Sequence, residues 1–171
     1  MLWGNALYRT RQFFEALRPV VSADEGSEVA AHLSLQQQRL FYVMTVRDQR
    51  HSLDVLHFLR EQGVRDEELL VAALLHDVGK APGERVRLRL WQRVAYVLLE
   101  AVAPALLPRL ARSDGPAWQR GLAALRQHAD RGANLALTAG VSEETARLIR
   151  DHHLGKGEGR LRLLRAADDA C

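Results

Sequence analysis

An adjacent histidine and aspartate close an apolar run in the middle of the chain, in the segment Leu74-Leu75-His76-Asp77-Val78-Gly79-Lys80. A buried polar group costs free energy unless it finds a partner, so this pair requires an explanation. One explanation is a bound metal ion, because imidazole nitrogens and carboxylate oxygens are both common metal ligands. The alternative is a histidine bonded to a backbone carbonyl, beside an aspartate at the end of a helix.

Further histidines and an aspartate complete the order H…HD…H…H…D, as a larger metal site would require. The order is filled by His51, His76, Asp77, His128, His152 and Asp168. Helical spacing places His152 on the same face as Leu148, and Asp168 on the same face as Leu164. We therefore favour Asp168 over Asp169 as the last ligand.

This ordered set, with the segment HDVGK after Ala-Ala-Leu-Leu, resembles the HD-domain superfamily of metal-dependent phosphohydrolases over residues 46–171. The resemblance implies a compact multi-helix bundle, with residues 1–45 as an N-terminal helical extension. It also implies a site for two divalent metal ions. The first ion would be held by His51, His76, Asp77 and Asp168. Asp77 would bridge to the second ion, which His128 and His152 would hold.

The ligand types also restrict the metal and the chemistry. Histidine nitrogens mixed with carboxylates favour Mn, Fe, Co, Ni or Zn over Ca and Mg, which prefer oxygen ligands. By resemblance, the reaction is hydrolysis of a nucleotide or another small phosphate ester by a metal-activated water. Asp77 would be catalytic as the bridging ligand, and Lys80 would supply a cation to the phosphate. A simpler interpretation of Lys80 is a lysine that stabilises the C-terminal end of a helix.

Two branches of the superfamily resemble the chain more closely in part of the pattern. The pair His152-His153 resembles the paired histidines of the HD-GYP enzymes that cleave cyclic di-GMP, but residues 156–159 read KGEG where the GYP signature would stand. The segment from Ile149 to Gly155 resembles the bacterial symmetrical dinucleoside-tetraphosphatases. Their tryptophan before the third histidine is replaced here by Gln127. The substrate is therefore predicted only as a class.

Two other functions are compatible with the same ligand order. Mixed-valence di-iron oxygenases related to inositol oxygenase have six metal ligands in the same order along the chain, so an oxygenase is an alternative function. A non-catalytic sensor or interaction module that keeps a metal for stability is another. Retention of all six ligands disfavours the second, since a structural site is usually a single closed one.

The net charge of +3 comes mainly from arginines, several of which lie between residues 85 and 93. Because arginine side chains match phosphate oxygens, Arg85 and Arg89, together with His153, are candidates for contacting the substrate or supporting the metal ligands. A solvated helix face is the other interpretation of these arginines. Nucleic acid is disfavoured as a partner, since aromatic residues make up only 6% of the chain and no recognition motif accompanies the charge.

The sequence also predicts the compartment. No apolar run approaches the length of a membrane span, about 18 residues, and the first ten residues lack the pattern of a signal peptide. Cys171 is the single cysteine, so no disulfide can form within the chain, which suits a reducing environment. These features predict a cytoplasmic protein without a membrane partner.

Apolar periodicity predicts helices along nearly the whole chain and no strands, so the fold class is all-α. Residues 22–27 are predicted as a loop. His32 and His57 fall outside the ligand order and are interpreted as a surface and a structural residue. The predicted helices cover about residues 5–17, 28–47, 49–62, 67–76, 84–107, 118–138, 143–153 and 160–170, with an interruption of the fifth near Pro104 and Pro108.

Overall fold

The computed structural model describes residues 21–81, 88, 90–153 and 158–171 of the chain. Within these ranges every regular element is a helix and none is a strand, which confirms the all-α class. The predicted helix over residues 5–17 lies outside the described residues. The α-helices are α1 (Ala23–His32), α2 (Leu35–Val43), α3 (Val46–Glu61), α4 (Glu67–Leu75), α5 (Leu90–Val102), α6 (Leu107–Leu110), α7 (Ala117–Arg126), α8 (His128–Thr138), α9 (Glu143–Asp151) and α10 (Gly159–Ala170).

Helix α4 is the centre of the core. Asp66 caps its first turn by accepting from the N–H of Leu69 at 3.2 Å, as its residue type predicts. Every residue from Leu69 to Leu75 is buried, so the helix is apolar on all sides. It packs against α3 and α9, while α8 packs on α9 and α10 packs on α3. The helices that carry the predicted ligands therefore surround one end of α4.

The first part of the described chain forms two short helices, and the prediction of a loop at 22–27 followed by one helix over 28–47 is wrong. Ser22 and Ser34 each accept a hydrogen bond from the backbone N–H three residues on. The side-chain oxygens of Glu25 and Gln37 in turn accept hydrogen bonds from the backbone N–H groups of those serines, which completes two capping boxes. A helix therefore begins after each serine, and the chain turns between them.

Helices α1 and α2 pack directly on the rest of the core. Val29, Leu33, Phe41 and Met44 are buried in the same apolar cluster as α3, α4, α8, α9 and α10. Ion pairs add to this contact, and Glu28 of α1 bonds His57 and Arg60 of α3. Residues 1–45 as a separate extension stay a prediction, although the described helices of that range share the common core.

The predicted long helix over 118–138 is divided at Gln127, so that prediction is wrong. Helix α7 ends at Arg126 and α8 begins at His128, with φ −101° and ψ 4° at Gln127. No glycine or proline marks the break in the sequence. Its physical reason is packing, because the turn that follows α4 presses against the first residue of α8.

Helices α5, α6 and α7 form a separate helical segment, called the excursion. It has a small apolar cluster apart from the main core, around Ala111, Leu122 and Ala123. The helix predicted over 84–107 ends at Val102, and Pro104 opens a 3₁₀ turn, Pro104–Leu106, which confirms the predicted interruption near Pro104. Residues 82–87 and 89 lie outside the described residues. Among the described residues, no helix combines the length and hydrophobicity of a membrane span.

Candidate metal centre

The histidine–aspartate pair lies where α4 stops. His76 is the C-terminal cap of α4, and Asp77 leads into a 3₁₀ turn, Val78–Lys80. His76 is fully buried and Asp77 is 2% exposed. The chain has helical angles at His76, φ −56° and ψ −34°, but leaves them at Asp77, with φ −96° and ψ 3°. The end of the helix thus places both side chains in the same buried pocket.

Three buried histidines are oriented in the same way. In each, the Nδ1 atom lies within hydrogen-bond distance of a backbone carbonyl three residues earlier. A carbonyl only accepts, so Nδ1 carries the proton and Nε2 keeps its lone pair. This arrangement is common for metal-binding histidines. The pairs are His76 with Ala73 at 2.9 Å, His128 with Leu125 at 2.5 Å and His152 with Ile149 at 2.6 Å.

The two oxygens of Asp77 have different surroundings. Oδ2 accepts a hydrogen bond from the Nζ of Lys80 at 2.7 Å. Oδ1 faces three imidazoles, at 3.6 Å from the Nε2 of His128, 3.7 Å from that of His76 and 4.0 Å from that of His152. Ligand atoms of a tetrahedral ion with bonds near 2.1 Å are about 3.4 Å apart. The spacings from Oδ1 to His128 and to His76 are close to this value, and the spacing to His152 is longer.

Asp168 brings the last helix to the same pocket. Its Oδ1 lies 2.8 Å from the Nε2 of His51 and 3.4 Å from the Nε2 of His76. The contact joins α10 to α3 and to the end of α4. Asp169, the neighbour that competes with Asp168 in the sequence, is exposed. The structure therefore brings all six predicted ligands together, with Asp168 as the closer of the two aspartates.

Apart from Asp168, the candidate ligands fall into two groups, within each of which the ligand atoms lie within 4.8 Å of one another. One group contains His51, His76 and Asp77. The other contains three histidines, and one of them, His153, was not predicted as a ligand. Its Nε2 lies 3.0 Å from that of His128. If α9 continued through residue 153, helical spacing would direct His153 away from the site, as the sequence predicts. Because α9 ends at Asp151, that spacing does not apply to His153.

The charges of most of the candidate ligands suit metal binding at neutral pH. His76 is the exception: burial lowers its pKa, but Asp77 and Asp168 outweigh burial and raise it. Burial lowers the pKa of His128 to about 4 and that of His152 to about 2, so both imidazoles are neutral. Burial alone would raise the pKa of Asp77, but Lys80 and the surrounding imidazoles hold it well below its usual value. Burial likewise opposes ionisation of Asp168, but the neighbouring imidazoles of His51 and His76 keep the pKa of Asp168 low. Neutral imidazoles and ionised carboxylates are the forms that ligate metals.

Three buried atoms of the site have no hydrogen-bond partner among the described residues: the Nε2 of His76, the Oδ1 of Asp77 and the Nε2 of His152. Buried polar atoms in folded proteins are nearly always bonded, since an unmet one costs free energy. A divalent ion would accept the lone pairs of all three. The donor set of imidazoles with carboxylates fits a transition metal, so the residues present fit the cofactor that the sequence predicts.

Two glycines allow the turn and α8 to meet. A β-carbon on residue 132 would contact the backbone nitrogen of Gly79 at 3.2 Å. Arg131 of α8 also donates to the carbonyl oxygens of Gly79 at 3.1 Å and Ala81 at 3.2 Å. No local sequence pattern predicts this contact. The turn that carries Asp77 is thereby held against the helix that carries His128.

A cleft of about 540 Å³ opens beside the second group of ligands. His128 and His153 lie in its wall, together with apolar side chains such as Val97 and Leu125. The predicted candidates Arg85 and Arg89 lie outside the described residues. The charged residues of the cleft wall are four cations, Lys80, Arg93, Arg126 and Arg150, and three carboxylates, Glu100, Asp130 and Asp151.

Comparison with known families agrees with this geometry. Residues 49–171 match the model of a family described as HD domain. The chain belongs to the HD domain family. The matched range contains all six predicted ligands and His153. Members of this family are largely metal-dependent phosphohydrolases, so the HD domain assigns the chain to a superfamily of metal-dependent hydrolases. No curated protein and no solved structure matches the chain.

Proposed function

We propose that this HD domain is a metal-dependent phosphohydrolase that acts on a nucleotide or another small phosphate ester. One observation carries the proposal: the cleft with four cations in its wall opens directly onto His128 and His153 of the ligand cluster. The four cations outnumber the three carboxylates of the wall, Glu100, Asp130 and Asp151, which suits a phosphorylated molecule. The ligand cluster beside them suits phosphoryl chemistry.

We further propose that the site holds two divalent ions. The support is the division of the ligands into two groups, with Asp77 Oδ1 between them. Bound there, ions such as Mn, Fe, Co, Ni or Zn would supply positive charge to a phosphoryl oxygen and lower the pKa of a water. His51, His76, Asp77 and Asp168 would hold one ion, and Asp77, His128 and His152 the other, with His153 as a further candidate.

The chain's own groups have distinct roles in this proposal. Asp77 presents an ionised oxygen to the site, because Lys80 bonds its other oxygen and lowers its pKa. Lys80 also lies in the cleft wall, so its charge reaches both the carboxylate and a bound phosphate. The three carbonyl-bonded histidines keep their Nε2 atoms fixed toward the site. The single cysteine, Cys171, remains compatible with a cytoplasmic location.

Phosphate release tests the proposal. Manganese- or iron-loaded protein should release phosphate from at least one member of a panel of nucleotides, dinucleoside polyphosphates and small phosphate esters. Asp77→Ala should lose bound metal and activity together, whereas Asp169→Asn, a change at an exposed aspartate, should keep both. Full activity and unchanged metal content in Asp77→Ala would refute the assignment of the site.

The alternatives give different results in the same preparation. A di-iron oxygenase would consume oxygen without releasing phosphate. A metal-stabilised sensor module would do neither, although its stability would still depend on the metal. The excess of cations over carboxylates in the cleft wall favours hydrolysis of an anionic substrate over both alternatives.

A further inference from the structure

An ion pair between a buried aspartate and a partly buried arginine links helix α5 to the core beside the metal centre. Asp48 lies in the first turn of α3 and is 2% exposed. Arg93 of α5 binds both of its oxygens, from Nη1 to Oδ1 at 2.6 Å and from Nη2 to Oδ2 at 2.9 Å. Thr45 adds a third bond to Oδ2 at 2.7 Å. The carboxylate therefore has partners on both oxygens, and the guanidinium has one fixed orientation.

Stability alone is a weak reason for such a pair. Removing two charges from water costs several kcal/mol, and apolar residues of similar size often stabilise a contact as well. The excursion already has its own apolar cluster, which α5 contributes to through Tyr96 and Leu99. An orienting role explains the pair better, since a charged side chain that is held in place loses little entropy when it binds a ligand.

Arg93 also lies in the wall of the cleft, with Lys80 and His128. A guanidinium has five N–H groups, and Asp48 takes two of them. Three remain for another acceptor. By contrast, Arg126 is exposed and makes no ion pair with any described residue, so its side chain must lose more freedom on binding.

We infer that Arg93 binds an oxyanion of a phosphate group in the cleft and that Asp48 is the positioning residue that orients its guanidinium. The ligand class is a tetrahedral phosphate, free or as part of an ester, whose oxygens match the planar fork of arginine. The inference rests on the proposed function for the identity of the anion. It adds a binding group that lies outside the histidine and aspartate motif.

Binding of inorganic phosphate tests the role of Arg93. We would titrate phosphate into metal-free and manganese-loaded protein by calorimetry, with thermal unfolding of each variant measured in parallel. In both forms, Arg93→Met should weaken phosphate binding by about tenfold or more, as loss of a charge-assisted hydrogen bond predicts. Arg93→Lys keeps the positive charge but not the planar guanidinium, so its phosphate affinity should lie between those of the wild type and Arg93→Met. Arg109→Met, a change at an exposed arginine that does not line the cleft, should bind as the wild type does.

The role of Asp48 is separated from a purely structural one by a double variant. Asp48→Asn should weaken phosphate binding by about threefold to tenfold. When Asp48→Asn is added to Arg93→Met, the affinity should fall no further, because the carboxylate acts through the guanidinium. A further drop of the same size in the double variant would overturn the positioning role. Should Arg93→Met unfold, the comparison of Arg93→Lys with wild type still decides the result.

The inference and the proposed function fail in different ways. If the protein hydrolyses phosphate esters but wild type and folded Arg93 variants bind phosphate equally, the inference is wrong and the function stands. If no ester is hydrolysed but phosphate binding depends on Arg93, the anion subsite stands without the function. Absence of phosphate binding by the wild type would overturn the inference.

Discussion

Gly79 lies so close to His128 that a β-carbon on residue 79 would fall 1.8 Å from the carbonyl oxygen of His128. Such a contact is impossible without movement of the backbone of one residue or the other. The glycine of the HDVGK segment thus allows two parts of the metal centre to meet: the turn after Asp77 and the start of α8. Its requirement is spatial, since this glycine is not among those with positive φ.

Gly79→Ala should therefore destabilise the protein. Overpacking of a core typically costs about 1–3 kcal/mol, and here the obstacle is backbone rather than a flexible side chain. We expect a lower free energy of unfolding in urea and weaker metal binding, since His128 must shift. Gly26→Ala is the matched control, because its β-carbon has no contact shorter than 3.6 Å and it lies in helix α1. The control should be neutral or slightly stabilising. Equal effects of the two changes would contradict the close approach.

Metal binding should raise the melting temperature of chelator-treated protein. Three buried atoms, the Nε2 of His76, the Oδ1 of Asp77 and the Nε2 of His152, lack hydrogen-bond partners among the described residues, and an ion would bind them only in the folded state. At a hundredfold excess over the dissociation constant the gain is about 2.7 kcal/mol. We expect an increase of about 5 °C or more with manganese or zinc by scanning calorimetry. Calcium, which prefers oxygen ligands, should have a smaller effect. An unchanged melting temperature with every transition metal would contradict the site.

The two adjacent aspartates of α10 should differ in function. Asp168 bonds His51 at 2.8 Å, whereas Asp169 is exposed. Asp168→Asn should lower metal affinity by about tenfold or more, because one anionic ligand is lost while the shape is kept. Asp169→Asn should keep the wild-type affinity. Metal content after dialysis and titration with a competing chelator measure both. If Asp169→Asn caused the larger loss, the last ligand would be reassigned.

The attachment of α1 should weaken in acid. Burial alone would raise the pKa of Glu28, but His57 and Arg60 bring it below its usual value. A carboxylate with a lowered pKa contributes stability above its unfolded pKa, near 4.5, and loses it as the pH falls through the folded value. Glu28→Gln should therefore destabilise the protein at pH 7 by up to about 1 kcal/mol. The difference from wild type should shrink at pH 3.5.

Urea unfolding of both proteins at the two pH values measures this effect. Glu143→Gln, at an exposed glutamate of α9, serves as the control for loss of a surface carboxylate and should change the free energy of unfolding at pH 7 less than Glu28→Gln does. A difference for Glu28→Gln that stays constant from pH 7 to pH 3.5 would show that the ion pairs of α1 do not stabilise it.

The helical class and the ligand positions were predictable because both leave local signals. Apolar periodicity identifies helices, and the order of histidines and aspartates survives in the sequence whatever loops separate them. The two capping boxes at Ser22 and Ser34 were equally visible as S-x-x-E and S-x-x-Q, and would have divided the first helices correctly. His32, predicted as a surface residue, instead keeps only 14% of its side chain exposed and pairs with Glu67.

Other features depend on contacts between distant residues and could not be predicted. The break at Gln127 follows from the packing of the turn around Gly79, which lies 48 positions earlier (127 − 79). The pairing of Asp48 with Arg93 joins residues 45 positions apart. Neither has a local sequence pattern, because what decides it is the tertiary arrangement of separate helices.

The three histidines held by backbone carbonyls make the metal centre tolerant of mutation in an unusual respect. Every amino acid carries a main-chain carbonyl, so no substitution at Ala73, Leu125 or Ile149 can delete the acceptor that orients its histidine. Many metal centres rely instead on a side-chain carboxylate for this purpose, and a single substitution can remove it. During evolutionary drift, the orientation of these imidazoles should therefore persist for as long as the helix ends keep their shape.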